Sequence, residues 1–167
     1  TSTDGTNFTE KRALQHCADV PSLAQNPAGT LMVAFQGFED PDDDARWDHI
    51  AVRMSEDGGD NWSPVSFITR SGFPEGSGRP FDPTITWDAD SEGWRMYFSL
   101  GFNGKMLDDS VCTYSAYSMD GVDFVFEDGS RFCNDSHAVI DPAVIQIDGT
   151  WVYIAPRGAP QDGAFFA

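Results

Sequence analysis

The chain has 167 residues, of which 40% are hydrophobic and 13% aromatic, so it carries enough apolar side chains for a folded core and is not a disordered segment. Asp and Glu number 27 against 10 Lys and Arg, which gives a formal net charge of -17 at pH 7. That charge repels phosphate backbones and anionic lipids, and no apolar run approaches the roughly 18 residues that span a bilayer, so the composition argues against nucleic-acid partners and membrane insertion.

The predicted elements are short β-strands, and one unit of strands recurs along the chain. Short runs rich in Val, Ile, Thr, Tyr, Phe and Trp are separated by Gly, Asp, Asn and Pro, while no segment keeps a helical period with caps. Each unit reads as a first strand, a hairpin turn, a second strand, a loop of variable length, a third strand and a returning fourth. The first strands are predicted at 22–24, 84–87 and 143–147. We therefore predict an all-β fold built from four-stranded antiparallel blades.

Three such blades are expected, at about 19–70, about 82–132, and 141–167 together with 1–14. In the third blade the N-terminal segment would supply the fourth strand, which is how rings of β-sheets close. Propellers need about four to eight blades, so three are too few for a ring. We predict that two copies complete a six-bladed homodimer, the alternative being that the chain is an excerpt of a larger propeller.

The turn between third and fourth strands carries a recurrent pattern, Ser-x-Asp-x-Gly-x-x-Trp. The Asp carboxylate can accept hydrogen bonds from its own turn, Gly permits positive φ, and the aromatic ring can fold back onto the blade. The full pattern occurs at Ser55, Asp57, Gly59 and Trp62. Two shorter variants with Phe as the aromatic residue are Ser2, Asp4, Gly5 and Phe8, and Ser118, Asp120, Gly121 and Phe124.

These motifs resemble the Asp box, or bacterial neuraminidase repeat, of the sialidase-like propellers. In that family the boxes lie on the outer rim, so the resemblance implies a fold and a structural role for the three Asp residues. A looser similarity is to the five-bladed glycosidases of the arabinanase and fructosidase type, whose blades open with Asp-Pro. The matching positions are Asp82-Pro83, Asp141-Pro142 and the relaxed form Asp19-Val20-Pro21. In such enzymes an inner-strand Asp acts as base or nucleophile and a Glu from another blade protonates the leaving oxygen.

The candidate catalytic residues follow from that similarity. Asp19, Asp82 and Asp141 begin the innermost strands and are expected to point toward the axis, although each could instead cap the turn that starts its blade. Glu39 and Glu75, in loops next to the presumed channel face, are the candidate acids.

Residues that break the repeat are the candidates for substrate binding. A guanidinium suits a carboxylate, such as that of sialic or uronic acids, and an aromatic ring can stack on a sugar. In the alternative interpretation each arginine neutralises nearby Asp residues. The candidates, all near strand ends on the expected channel face, are Arg46, Trp47, Arg79, Phe102 and Arg157.

No cofactor is required by this interpretation. The acidic loop could bind Ca²⁺ or simply be solvated; its carboxylates are Asp40, Asp42, Asp43 and Asp44. The cysteines lack the spacing of a zinc site. A bridge between Cys112 and Cys133 is one pairing that the sequence allows, and it would leave Cys17 free or intermolecular.

The function expected from these features is glycan binding by a secreted or cell-surface propeller, with a periplasmic location as an alternative. Glycoside hydrolysis of a sialidase-like kind would use the same central face. Two other interpretations stay open at this point: a non-catalytic adhesion or assembly module, and an excerpt of a larger propeller hydrolase.

Overall fold

A computed structural model describes residues 1–9, 12–44, 46–102, 110–157 and 163–167. These residues form strands joined by turns and contain no helix, which confirms the all-β prediction. Accordingly, nothing in the described ranges forms a helix of the length and apolarity needed to cross a membrane. The strands are β1 Ala18–Gln25, β2 Leu31–Gly37, β3 His49–Ser55, β4 Ser66–Phe67, β5 Thr69–Ser71, β6 Phe81–Asp88, β7 Gly93–Leu100, β8 Cys112–Ser118, β9 Asp123–Phe132, β10 Ala143–Ile147, β11 Thr150–Pro156 and β12 Ala164–Phe166.

The strands form three sheets in chain order. The first has the order β1-β2-β3-β4, with every neighbouring pair antiparallel. The second has the order β5-β9-β8-β7-β6, in which only β5 runs parallel to its neighbour β9. The chain leaving the first sheet thus adds an edge strand to the second. The third sheet has the order β10-β11-β12.

The third sheet differs from the predicted blade. Among the described residues it contains three strands, and the N-terminal segment is not one of them. Residues 1–9 form their own turn, in which the backbone of Thr1 bonds that of Thr9. Leu14 packs against the apolar cluster of the first sheet, and its carbonyl accepts a 2.5 Å hydrogen bond from Arg53. These contacts hold the segment at the first sheet, so the expected closure of the third blade is not formed.

The main core lies between the first two sheets. Strand alternation sends Met32 and Ile50 of the first sheet toward Met96 and Phe98 of the second, and all four are buried. The contact between the second and third sheets is smaller and partly polar. There the hydroxyls of Thr113 and Tyr153 lie 2.8 Å apart.

The disulfide joins Cys112 of β8 to Cys133, the residue after β9. This is the pairing that the sequence analysis allowed. Cys17 is exposed and not bonded. The bridge therefore fixes the end of the second sheet close to the segment that leads to the third.

The three Ser-x-Asp turns share one hydrogen-bond pattern. In the turn after β3, Ser55 donates to Asp57 over 2.8 Å, and Asp57 accepts the backbone N–H of Asn61 over 2.9 Å. The bond from that N–H is the main reason why the pKa of Asp57 falls to about 2. Backbone N–H bonds likewise lower the pKa of Asp4 and of Asp120. Each carboxylate is thus engaged by its own turn.

The aromatic residues of the three turns behave differently. Phe124 is fully buried in the main core, and Trp62 packs against the first sheet while its indole N–H donates to Gly59 over 3.0 Å. Phe8 is 61% exposed, so the packing expected for the N-terminal copy is not seen.

Candidate functional site

A groove of about 990 Å³ lies between three edge strands, one from each sheet. β1, β6 and β10 form its walls, and Val20, Asp82 and Asp141 mark one of its ends. The walls carry apolar side chains, among them Leu23 and Trp87, and hydroxyl groups such as that of Thr84. The repeat therefore brings the starts of its inner strands to a common cavity.

The backbone at that end is unusual in every sheet. Val20, Asp82 and Asp141 have φ of 43°, 52° and 47°, in the left-handed region, and each precedes a proline. The ladders of the first and second sheets shift register at this point. A left-handed non-glycine residue costs about 1–3 kcal/mol, so the surrounding structure must hold these residues in place.

This geometry corrects the alignment of the first unit. The residue equivalent to Asp82 and Asp141 is Val20, and Asp19 lies one position earlier. Asp19 is exposed, and its carboxylate accepts the N–H of Val20 over 2.8 Å. The first unit therefore caps its own turn with Asp19 and has an apolar residue where the other two units have a carboxylate.

Asp82 and Asp141 are brought together. The N–H of Asp141 donates to Oδ2 of Asp82 over 3.2 Å, and the hydroxyl of Ser99 lies 3.5 Å from the same oxygen. Asp82 is half-buried, whereas Asp141 is exposed. Burial, followed by the negative charge of Asp141, raises the pKa of Asp82 to about 6. The end of the groove thus holds a carboxyl that keeps its proton to an unusually high pH.

A polar chain continues from Asp82 into the first sheet. Gln36 accepts the backbone N–H of Asp82 over 3.0 Å and donates to Asp48 over 2.6 Å. Arg79 completes the chain, with one guanidinium nitrogen 3.3 Å from Asp48 and another donating to the carbonyl of Trp47 over 2.8 Å. Two of the predicted binding residues, Arg79 and Trp47, therefore lie together and connect to Asp82.

Gln36, Asp48 and Ser99 were not among the residues predicted from sequence. Gln36 had a signal that could have found it, since it is the polar residue in the otherwise apolar strand Leu31–Gly37 and only 5% of its surface is exposed. Asp48 and Ser99 stand among many similar residues, and nothing local distinguishes them.

The other predicted binding residues are directed elsewhere. Arg46 pairs with Asp43 over 3.5 Å, and its guanidinium lies 5.7 Å from the ring of Phe67 on the outer strand β4. Phe102 makes an edge contact with Tyr114, with ring centroids 6.0 Å apart. None of the five predicted binding residues, Arg79 and Trp47 included, belongs to the described residues that line the groove.

Arg157 and the two predicted acids also lie outside the groove lining. The guanidinium of Arg157 is 5.9 Å from the ring of Phe165. Glu39 is exposed and accepts a 2.5 Å hydrogen bond from Gln15. Glu75 is exposed in the turn 74–77. Among the described residues, the carboxylate placed against Asp82 is that of Asp141.

Carboxylates of the acidic loop form a hydrogen bond and an ion pair with residues of the same loop. The N–H of Asp42 donates to Asp40 over 3.0 Å, and Asp43 pairs with Arg46. Within the described ranges, no three acidic, histidine or cysteine side chains come close enough to hold a metal ion. Ca²⁺ binding by Asp40, Asp42, Asp43 and Asp44 stays a prediction.

The raised pKa of Asp82 gives a pH-dependent cost in stability. A carboxyl with a pKa of about 6 when folded and 3.8 when unfolded destabilises the fold progressively as the pH rises from about 4 to about 6. We expect Asp82→Asn to raise the free energy of unfolding at pH 7 by about 1–2 kcal/mol, a value reduced for the partial exposure of the group. Urea unfolding at several pH values measures this, with Asp128→Asn as the exposed control. If the gain in the free energy of unfolding of Asp82→Asn did not shrink below about pH 4, the raised pKa of Asp82 would be contradicted.

Comparison with known proteins gives a likeness of fold. No family model and no curated protein matches the chain. An α-L-arabinofuranosidase from Lactobacillus brevis superposes with a TM-score of 0.61 at 16% identity, over 89% of this chain and 47% of that one. An exo-1,5-α-L-arabinanase from a bovine ruminal metagenomic library superposes with a TM-score of 0.57 at 13% identity, over 95% of this chain and 55% of that one. The chain therefore spans about half the length of each.

At these identities the superpositions establish the fold alone. Both neighbours are named as glycosidases that act on arabinosides, the class to which the Asp-Pro pattern is similar. The looser resemblance, to propeller glycosidases of the arabinanase type, is thus supported. Neither structure supports the sialidase-like resemblance, which stays a prediction.

Proposed function

We propose that this chain binds carbohydrate in the groove between β1, β6 and β10 and takes part in glycoside hydrolysis there. The observation that carries the proposal is the pair of carboxyl groups, Asp82 and Asp141, at the end of that groove. Glycoside hydrolysis needs two carboxyl groups with different tasks, one to protonate the leaving oxygen and one to act as base or nucleophile. The different burial of Asp82 and Asp141 is how a protein separates such tasks.

In this proposal Asp82 is the acid. Burial keeps its proton in place up to about pH 6, and a protonated carboxyl can donate to a glycosidic oxygen. The exposed Asp141 is then the candidate base. Glu39 and Glu75, predicted from sequence as acids, are supported less well because neither lines the groove.

A neutral sugar fits the groove better than an acidic one. Two carboxyl groups at its end repel an anion, and Arg79 is already engaged by Asp48 and Trp47. A volume of about 990 Å³ is at the upper end of the range for small-molecule sites and has room for more than one sugar ring. We therefore place arabinosides and related neutral glycosides ahead of sialosides.

We further propose that the chain works outside the reducing cytosol, as a secreted, cell-surface or periplasmic protein. The Cys112–Cys133 disulfide supports this, since such bonds persist in oxidising compartments.

Hydrolysis and binding can be tested separately. A panel of aryl glycosides that includes an α-L-arabinofuranoside and a sialoside tests turnover, and a glycan array tests binding. Turnover or binding of a neutral glycoside supports the proposal. Failure in both assays would leave a non-catalytic assembly module as the better account.

A second proposal concerns self-association. The third sheet presents one apolar face whose large side chains are between 45% and 74% exposed. Strand register places them together, because Ala143 pairs with Ile154 and Ile154 pairs with Phe166, while Ile145 and Ile147 alternate along β10 on that side. An exposed apolar face of this kind marks an interaction surface.

We propose that a second copy of the chain covers this face around Ile147 and Phe166, which lie outside the groove lining, while Ile145 and Ile154 border the groove. Light scattering is then expected to give about twice 18.3 kDa at micromolar concentration. Ile147→Lys, on the same face but outside the groove lining, should give monomers, because a charge would be buried at the interface. Val125→Lys, at a similarly exposed position on β9, is the matched control. A wild-type monomer would remove the dimer.

A further inference from the structure

We infer that Gln36 is a positioning residue for Asp82, and that its carboxamide is the part that matters. The side chain is almost completely buried on β2, one strand away from the groove. It does not line the groove itself. Its oxygen accepts the backbone N–H of Asp82 over 3.0 Å, and its nitrogen donates to Asp48 over 2.6 Å. Gln36 therefore links Asp82 and Asp48, which lie 46 and 12 residues after it in the sequence.

The two partners fix the orientation of the amide. A backbone N–H can only donate and a carboxylate can only accept, so the oxygen must face Asp82 and the nitrogen must face Asp48. Asp48 is held in turn by Arg79 at 3.3 Å. The amide is therefore locked between a fixed acceptor and a fixed donor.

The contact lies where the backbone is most strained. Asp82 has a φ of 52°, and a register shift separates Phe81 from Thr84 in the pairing of β6 with β7. A buried N–H without a partner costs about 1–3 kcal/mol, so the hydrogen bond that the N–H of Asp82 donates to Gln36 stabilises the left-handed conformation of Asp82. That conformation places the Asp82 carboxyl against the N–H of Asp141. Gln36 thus determines where the carboxyl points without touching a ligand in the groove.

Few groups surround the Asp82 carboxyl, so the effect of Gln36 on its position can be measured. The charged group that faces it directly is Asp141, and Ser99 lies on the other side. Asp48 and Arg79 are linked through Gln36 to the backbone of Asp82. The inference rests on the proposed role of Asp82, but it can be measured without any sugar.

The experiment is a carbon-13 NMR titration of the full chain with labelled Asp carboxyls, in which Asp82→Asn assigns the signal. Gln36→Met keeps the side-chain volume but removes both hydrogen bonds. The Asp82 midpoint, about 6 in the wild type, is expected to fall by about one pH unit or more, because the carboxyl is released toward solvent. Gln36→Glu, whose buried carboxyl beside Asp48 is kept neutral, still accepts the N–H of Asp82 and can donate its O–H to Asp48, so its Asp82 midpoint should stay at or above that of the wild type.

Gln15→Met is the matched control, since it makes the same change at an amide that donates to Glu39 and to the carbonyl of His16, outside the groove lining. It should leave the Asp82 midpoint unchanged. If Gln36 only fills space, Gln36→Met will also leave the midpoint unchanged, and that result overturns the inference. Should Gln36→Met fail to fold, a fall in the midpoint of Gln36→Glu would overturn it equally. Loss of the proposed hydrolysis alone would appear in the glycoside assays and leave the titration intact.

Discussion

Asp82→Asn is expected to lower the turnover of any glycoside that the protein hydrolyses by about a hundredfold to ten-thousandfold, the range that a general acid contributes. An amide has the size of the carboxyl but no acidic proton that it can transfer to the leaving oxygen. Because the groove walls are unchanged, KM should change much less than kcat. Steady-state kinetics on an oligosaccharide of the sugar identified by the panel measures both constants, because an aryl leaving group needs little protonation and would hide the loss of an acid.

Two further variants make this result interpretable. Asp141→Asn should also reduce kcat, since Asp141 is the candidate base. Asp128→Asn changes an exposed carboxylate on β9 and should have no effect. A loss of less than tenfold in Asp82→Asn would remove Asp82 from the chemistry, and the raised pKa would then be a consequence of burial alone.

Phe98→Ala is expected to lower the free energy of unfolding by about 3–5 kcal/mol, the usual cost of removing a buried aromatic side chain. Phe98 is 0% exposed, lies in the core between the first two sheets, and stacks with Phe73 at a centroid distance of 5.6 Å. A loss of this size is a large fraction of the stability of a domain. Urea unfolding followed by tryptophan fluorescence measures it.

Phe8→Ala makes the same change at a ring that is 61% exposed. Its effect should stay within about 0.5 kcal/mol. If Phe98→Ala and Phe8→Ala had similar effects, the two-sheet core described above would be wrong.

Features encoded within a few residues could be predicted from the sequence. The Ser-x-Asp turns close on themselves, so the bonds around Asp57 depend on residues no more than four positions away. The apolar run at 143–147 predicted a strand, and the structure has that strand at Ala143–Ile147. In both cases local physical chemistry is sufficient.

Features that depend on distant contacts could not be predicted. The N-terminal segment fits an edge strand by its pattern, but Arg53 and the apolar cluster of the first sheet hold it elsewhere. The alignment of Asp19 with Asp82 was off by one residue, because the left-handed residue that precedes proline in each unit is Val20 in the first unit, which only the folded backbone shows. The guanidinium of Arg46 could bind the carboxylate of a sugar, but in the structure it pairs with Asp43 and lies over the ring of Phe67. Neighbours that are remote in sequence decide each of these cases.

The central claim is that a carbohydrate binds where the inner strands begin, beside Asp82 and Asp141. Backbone NMR of the labelled protein, titrated with arabino-oligosaccharides and with a sialoside as comparison, tests it most directly. We predict that the arabino-oligosaccharide shifts the amide signals of Asp82, Asp141 and their neighbours on β1, β6 and β10, and that Asp82→Asn retains this binding. Shifts confined to the Ser-x-Asp turns, or no shifts with any of these sugars, would contradict the account.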